Sequence, residues 1–158
     1  MQRFDVVYYS TLDSEDIEKS NVSGSEVIEI FNSIPWKTIY SDSINNGVNL
    51  FDYSFSVSSV DINQLEFSFD IDFYTDELDS SKVNPNKLRF TLGYSYQEWV
   101  TKKRLFGLLS DKQVISDEYI MMNDQDIDFT LKCLQAFVRL NKEYLKSNMY
   151  DYFGDEEN

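Results

Sequence analysis

Three segments of the chain alternate apolar and polar residues with a period of two. They cover residues 50–58, 65–73 and 88–96, and Phe, Tyr, Leu, Ile or Val stands at every second position. Such alternation is typical of strands with one buried face and one wet face. The connection at 59–64 is short and the one at 74–87 is longer. The pattern therefore predicts an antiparallel meander.

The N-terminal part of the chain predicts one more strand and a short helix. Residues 3–9 are rich in strand formers, whereas residues 11–24 are polar and acidic and predict a loop with one helical turn. Ser23 and Glu26 have the spacing of a capping box, and apolar residues then recur at helical spacing. The helix is predicted to end at Pro35, because proline lacks the N–H that the helix needs.

The pattern beyond these segments is less regular. Trp36 to Tyr40 and Tyr119 to Met122 each predict a short strand, and residues 99–109 predict a turn followed by a short strand or helix. An apolar stripe over residues 124–147 predicts one long helix, with Asn123 as its N-cap. The acidic residues 150–158 predict a frayed tail.

Together these elements predict an α+β fold in a single domain, residues 1–158. It consists of an antiparallel β-meander of about four to six strands, a short N-terminal helix, and a long C-terminal helix packed on one face. Hydrophobic residues make up 42% of the chain, enough for a real core. The chain has neither a signal-peptide pattern nor an apolar run of membrane-spanning length, so we expect a cytoplasmic protein.

The charge distribution adds a functional clue. Residues 38–81 contain nine acids and no Lys or Arg, although strand-forming residues run through them, and the whole chain carries a formal net charge of −14. A folded surface of one sign attracts basic partners and disfavours binding to nucleic acid or anionic membranes. The clue therefore indicates binding to a basic protein.

The acids concentrate on the polar side of the predicted strands and in the loop that follows. The candidate partner-binding residues are Asp52, Glu66, Asp70 and Asp72 on the strands, Asp76, Glu77 and Asp79 in the loop, and Tyr152 and Phe153 in the tail. Small serines between the acids would keep this surface flat. A simpler interpretation is that the acids only prevent aggregation of an aromatic-rich sheet.

Metal-dependent catalysis is a second hypothesis. The segment Phe69 to Asp72 resembles the acidic strand motif of two-metal exonucleases, and its two aspartates share one strand face. The other motifs of those enzymes are not recognisable. Histidine is absent, which excludes Ser-His-Asp and Cys-His catalysis. We expect no cofactor, no bound metal and no catalysis.

The one cysteine, Cys133, is expected to be a buried apolar residue, and the basic cluster Lys102 to Arg104 is expected to pair with the protein's own acids.

Three classes of function remain open. The leading class is a small acidic protein that binds and inhibits a basic protein partner, and its main type is an immunity protein that neutralises a toxin such as a nuclease. An immunity protein predicts one compact patch with an aromatic anchor. A related type is a nucleic-acid mimic, as in phage anti-defence proteins, whose acids would be spaced like phosphates along an elongated face. The second class is a metal-dependent hydrolase using Asp70 and Asp72, and the third is an adaptor subunit.

Overall fold

The computed structural model describes residues 2–10, 15–46, 53–72, 87–102 and 112–149. In this part of the chain, the strands are β1 (Arg3–Ser10), β2 (Glu15–Ser23), β3 (Ser54–Ser59), β4 (Glu66–Asp72), β5 (Arg89–Lys102) and β6 (Lys112–Gln125). The helices are α1 (Gly24–Ser33), α2 (Trp36–Asn46), α3 (Ile127–Val138) and α4 (Lys142–Asn148).

The strands form one sheet in the order β2-β1-β3-β4-β5-β6, and every neighbouring pair is antiparallel. Strands β3 to β6 follow chain order, which confirms the predicted antiparallel meander. Strands β1 and β2 form a hairpin, and the chain passes through α1 and α2 before β3 pairs with β1. The α+β class and the antiparallel sheet are therefore as the sequence predicts.

The helices pack against one face of the sheet, which we call the helical face. Alternate side chains of the strands are buried there, and their aromatic rings contact rings from α1, α2 and α3. Phe55 and Phe69 stack with centroids 4.9 Å apart, and Trp36 meets Phe69 at 5.6 Å. Phe4 meets Phe137 of α3 at 5.8 Å. The apolar residues of the period-two pattern therefore form the part of the core that the sheet contributes.

Helix α1 begins and ends where the sequence predicts. The Ser23 backbone N–H donates to the Glu26 carboxylate at 2.7 Å, and the Glu26 N–H donates to the Ser23 hydroxyl at 3.3 Å. The Ser23 hydroxyl also donates to the Glu26 carboxylate at 2.6 Å, and this bond, together with the one from the Ser23 backbone N–H, lowers the pKa of Glu26 below its usual value. The helix stops at Ile34, immediately before Pro35. The capping box is therefore confirmed in both directions.

The prediction of one long C-terminal helix is wrong. Two helices occupy this region, and Leu140 between them has a φ of 55°, a left-handed conformation that cannot continue a helix. The N-cap of α3 is Asp126 rather than Asn123, and Asn141 caps α4 through its side chain. The break redirects the chain, so that α4 packs over Tyr96 on the helical face.

Two shorter predictions are also corrected, and a third is confirmed as part of a longer strand. Trp36 starts helix α2, not a strand, because the Thr38 and Ile39 N–H groups both bond to the Pro35 carbonyl. Residues 15–23 form strand β2, not a loop, because β1 supplies hydrogen bonds that a polar segment needs in order to stay extended. The predicted short strand at 119–122 is part of the fourteen-residue β6.

Candidate functional site

The sheet face opposite the helices is the candidate site, and we call it the open face. Side chains alternate along a strand, so residues paired across strands share a face. One row crosses five strands, because Asp5 lies opposite Ser58, Ser58 opposite Glu66, Glu66 opposite Ser95, and Ser95 opposite Tyr119. The row joins two acids, two serines and a tyrosine that are far apart in sequence.

The middle of the open face is built from small residues. A second row pairs Ser56 with Ser68 and Ser68 with Gly93, and it ends at Met121. Ser54 and Ser58 lie on the same face of β3. Their side chains are small and project little from the sheet at the centre of the face, as predicted from the serines in the sequence. The hydrogen-bonded sheet fixes the backbone positions from which the acids project.

Acids outnumber bases on the open face. The acidic side chains of the described residues on this face are Asp5, Asp16, Glu18, Glu66, Asp70 and Asp117, on β1, β2, β4 and β6. The described arginines on this face, Arg3 and Arg89, stand at the first positions of β1 and β5. Arg89 pairs with Asp124 at 3.3 Å, and Arg3 donates to the Asn21 carbonyl at 3.2 Å. The face is therefore negative across its centre.

Glu66 and Asp70 are the two predicted site residues whose side chains are described, and both are exposed on the open face. They stand four positions apart on β4, about 13 Å at strand spacing. Ser56 donates to Glu66 at 3.4 Å. Partial burial raises the pKa of Asp70 above its usual value, because the surrounding sheet removes some of its water.

The side chains of the other predicted site residues are not among those that the structure describes. Asp72 ends β4, where its backbone pairs with Arg89, and its side chain is not described. The remaining predicted site residues outside the described ranges are Asp52, Asp76, Glu77, Asp79, Tyr152 and Phe153. Their part in partner binding stays a prediction.

Apolar side chains border the acidic centre along β5 and β6, and none of them is among the predicted site residues. Trp99 is 68% exposed, Tyr119 58%, Ile115 53% and Met121 37%. We call these four residues the apolar strip. Trp99 lies opposite Ile115, and all four face away from the helices. The signal in the sequence was weak, because residues 114–122 mix apolar side chains on both faces of β6.

A hollow of about 330 Å³ lies where the acids meet the strip. Its lining includes Glu66, Ser95, Asp117 and Tyr119. The Gln97 side-chain amide donates to Asp117 at 2.8 Å and also bonds to Gln64, so the Asp117 carboxylate is held in place. On the open face the hollow combines the carboxylates of Glu66 and Asp117, a floor at Ser95 and an aromatic wall at Tyr119.

The other candidate chemistry has less support in the structure. In the described ranges, no group of three or more Asp, Glu or Cys side chains is placed to hold a metal ion. Cys133 is buried in α3, and burial raises the pKa of its thiol to about 12. Lys102 stands opposite Lys112 at the described end of the β5–β6 pair, and Lys103 and Arg104 lie outside the described residues. Among the described residues, no helix is long and apolar enough to span a membrane.

Comparison with known proteins adds no relative. No protein-family model, no curated protein and no solved structure matches this chain.

Proposed function

We propose that this protein is a small acidic inhibitor that binds a basic protein partner through the open face of its sheet. An immunity protein that neutralises a toxin, such as a nuclease with a cationic groove, is the type that fits best. The observation that carries the proposal is the row from Asp5 through Glu66 to Tyr119, in which fixed acids and an aromatic side chain share one flat surface.

Electrostatics supports this mode of binding. The acids of the open face and the net charge of −14 attract a basic partner over long range, which raises association rates and suppresses acidic competitors. Once bound, the acids occupy a groove that is built for phosphates, and the partner's substrate is excluded. We place this activity in the cytoplasm, where the thiol of Cys133 stays reduced.

An aromatic side chain among the acids favours such an inhibitor over a nucleic-acid mimic. Glu66 and Asp70 are about 13 Å apart, and Glu66 and Asp5 are separated by two strand spacings, or about 10 Å. Glu66, Asp117 and Tyr119 line one hollow, and acids beside an aromatic anchor are what an immunity protein predicts.

The proposal is tested by neutralising the open face and comparing it with an equal change elsewhere. In the test variant, Glu66→Gln and Asp70→Asn remove two charges from β4. In the control variant, Glu29→Gln and Glu143→Gln remove two charges from exposed positions of α1 and α4. Each protein is used to capture partners from extracts of its source cells, and the captured partner is then purified.

We expect the wild type and the control to retain the partner and to inhibit its activity. The test variant should bind about tenfold more weakly and show a shallower dependence of affinity on salt. Equal weakening in both variants would mean that only net charge matters. Unchanged affinity and salt dependence in the test variant would reject the open face as the binding site.

A further inference from the structure

We propose that the apolar strip anchors the partner, and that the anchoring segment presents an arginine beside a bulky apolar side chain. The apolar side chain packs on Trp99 and Ile115. The arginine lies against the Tyr119 ring, between the carboxylates of Glu66 and Asp117. This inference builds on the proposed function, and it names the part of the open face that supplies most of the binding energy.

The exposure of the strip is the first observation. Trp99 is 68% exposed, whereas the other tryptophan, Trp36, is only 5% exposed in the core. Trp99 and Ile115 stand opposite each other, so their side chains form one contiguous apolar surface. Single exposed apolar residues are ordinary, but contiguous ones beside polar residues mark interaction sites. Exposed tryptophan and tyrosine are also the side chains that dominate binding hot spots.

The acids beside the strip define the charge of its occupant. Asp117 lies between Ile115 and Tyr119 on the same face of β6, and Glu66 is two strands away from Tyr119 in the same row. In the described part of the chain, neither carboxylate forms a salt bridge. An apolar segment without a cation would leave both carboxylates partly dehydrated and unpaired, which is costly. The complementary segment therefore carries positive charge.

The shape of the hollow favours arginine over lysine. A planar guanidinium stacks on an aromatic ring and donates to two carboxylates at once, whereas an ammonium is a compact and strongly hydrated charge. Tyr119 supplies the ring, and Glu66 and Asp117 supply acceptors on either side of a floor formed by Ser95. The chain already holds a cation on a tyrosine elsewhere, because Lys142 Nζ lies 4.2 Å from the centroid of the Tyr96 ring.

Trp99 provides a direct readout. It is the exposed member of the chain's two tryptophans, so acrylamide quenching of fluorescence reports mainly on the strip, and Trp36 serves as a buried internal reference. The probes are short synthetic peptides that alternate arginine with leucine, lysine with leucine, arginine with serine, and glutamate with leucine. Each is titrated into the full chain at low salt.

We expect the arginine–leucine peptide to bind most tightly and to protect Trp99 from acrylamide. The lysine–leucine and arginine–serine peptides should bind at least about threefold more weakly, and the glutamate–leucine peptide should not bind. Equal affinity for arginine–leucine and arginine–serine, with Trp99 still quenched, would reject the strip and leave the acidic face intact. Equal affinity for the lysine–leucine and arginine–leucine peptides would reject the preference for arginine. Failure of every cationic peptide to bind would reject the proposed function itself.

Substitutions locate the contact on the strip. Tyr119→Ser should weaken binding of the arginine–leucine peptide about tenfold, because both the stacking surface and the wall of the hollow are lost. The matched control is Val60→Ser, which removes a 50% exposed apolar side chain from the β3–β4 connection and should leave binding unchanged. Equal weakening by both variants would contradict the assignment. So would a wild-type dimer that Trp99→Ser converts to a monomer, because the strip would then be a contact between copies.

Discussion

The hydroxyl of Tyr119 lies 2.8 Å from the position that a β-carbon on Gly93 would occupy. Glycine at this position on β5 therefore lets the tyrosine of β6 lie flat across the neighbouring strand. The Ser68 hydroxyl of β4 is 2.9 Å from the same position, so a side chain at residue 93 would meet β4 as well. The Tyr119 ring, which is one wall of the hollow, therefore lies over β5 next to Ser68 of β4.

Gly93→Ala should displace the Tyr119 side chain without unfolding the sheet. An added β-carbon forces the exposed tyrosine ring outward, while alanine is better than glycine in a strand by about 0.5–1 kcal/mol. We expect the free energy of unfolding to change by less than about 1 kcal/mol and the arginine–leucine peptide to bind several-fold more weakly. Thr91→Ala, a change on the same face of β5 but outside the lining of the hollow, is the control. Unaltered peptide affinity in Gly93→Ala would contradict the role of Tyr119.

Asp70→Asn should stabilise the protein at neutral pH. The folded state raises the pKa of Asp70 above its ordinary value of 3.8, so the unfolded chain gives up this proton more readily. Ionisation of Asp70 therefore lowers the free energy of unfolding at neutral pH, and this loss disappears as the pH falls below the unfolded-state pKa. Thermal unfolding should therefore show a gain in melting temperature at about pH 7 and none at about pH 3. An equal gain in Glu66→Gln would show that relief of net charge is the cause.

Glu98→Gln should destabilise the protein at neutral pH. Lys146 Nζ lies 2.7 Å and Lys142 Nζ 3.6 Å from the Glu98 carboxylate, and the hydrogen bond from Lys146 lowers the pKa of Glu98 below 4.5. This stabilisation is present above the unfolded-state pKa and is lost as the pH falls through the lower folded-state pKa.

The groups around Glu98 are partly exposed, so we expect a loss of at most about 1 kcal/mol in the free energy of unfolding. Urea unfolding at about pH 7 should show this difference between Glu98→Gln and the wild type, and at about pH 2 the two should agree. Glu118→Gln on β6 is the control at a similar position in the sheet. A difference that persists at low pH would argue against the ion pair as its source.

Phe69→Ala should be the most destabilising of these changes. Its ring stacks on Phe55 at 4.9 Å and meets Phe31 at 5.4 Å and Phe90 at 5.5 Å, so truncation opens a cavity between β4 and α1. We expect a loss of about 3–5 kcal/mol in the free energy of unfolding, measured with urea. Ile62→Ala removes a side chain that is 40% exposed and should cost less than about 0.5 kcal/mol.

The sequence predicted the elements whose signals are local. The alternation in β3, β4 and β5 gave strands with the correct buried face, and the Ser23 and Glu26 spacing gave the start of α1. The break at Leu140 was not predictable, because a leucine in a left-handed conformation is set by how α4 packs on the sheet and not by its own preference. The amphipathic pattern of the sequence continues through Leu140 without interruption.

The site was predicted in part for the same reason. Glu66 and Asp70 could be placed on a wet face because they alternate with Phe67 and Phe69. The contributions of β2 and β6 were missed. Strand β2 is polar and is extended only because β1 supplies its hydrogen bonds, and β6 has no single apolar face.

The sequence by itself determined which side of each central strand is buried, because a side-chain period of two needs no knowledge of neighbours. It therefore determined that acids and serines share the side away from the core. Only the tertiary structure decided which residues stand together across strands. Asp5 is far from Tyr119 in the chain, and Trp99 meets Ile115 only through the β5–β6 register. That register depends on hydrogen bonds between distant segments and on burial of a common core, and neither is encoded in any one segment.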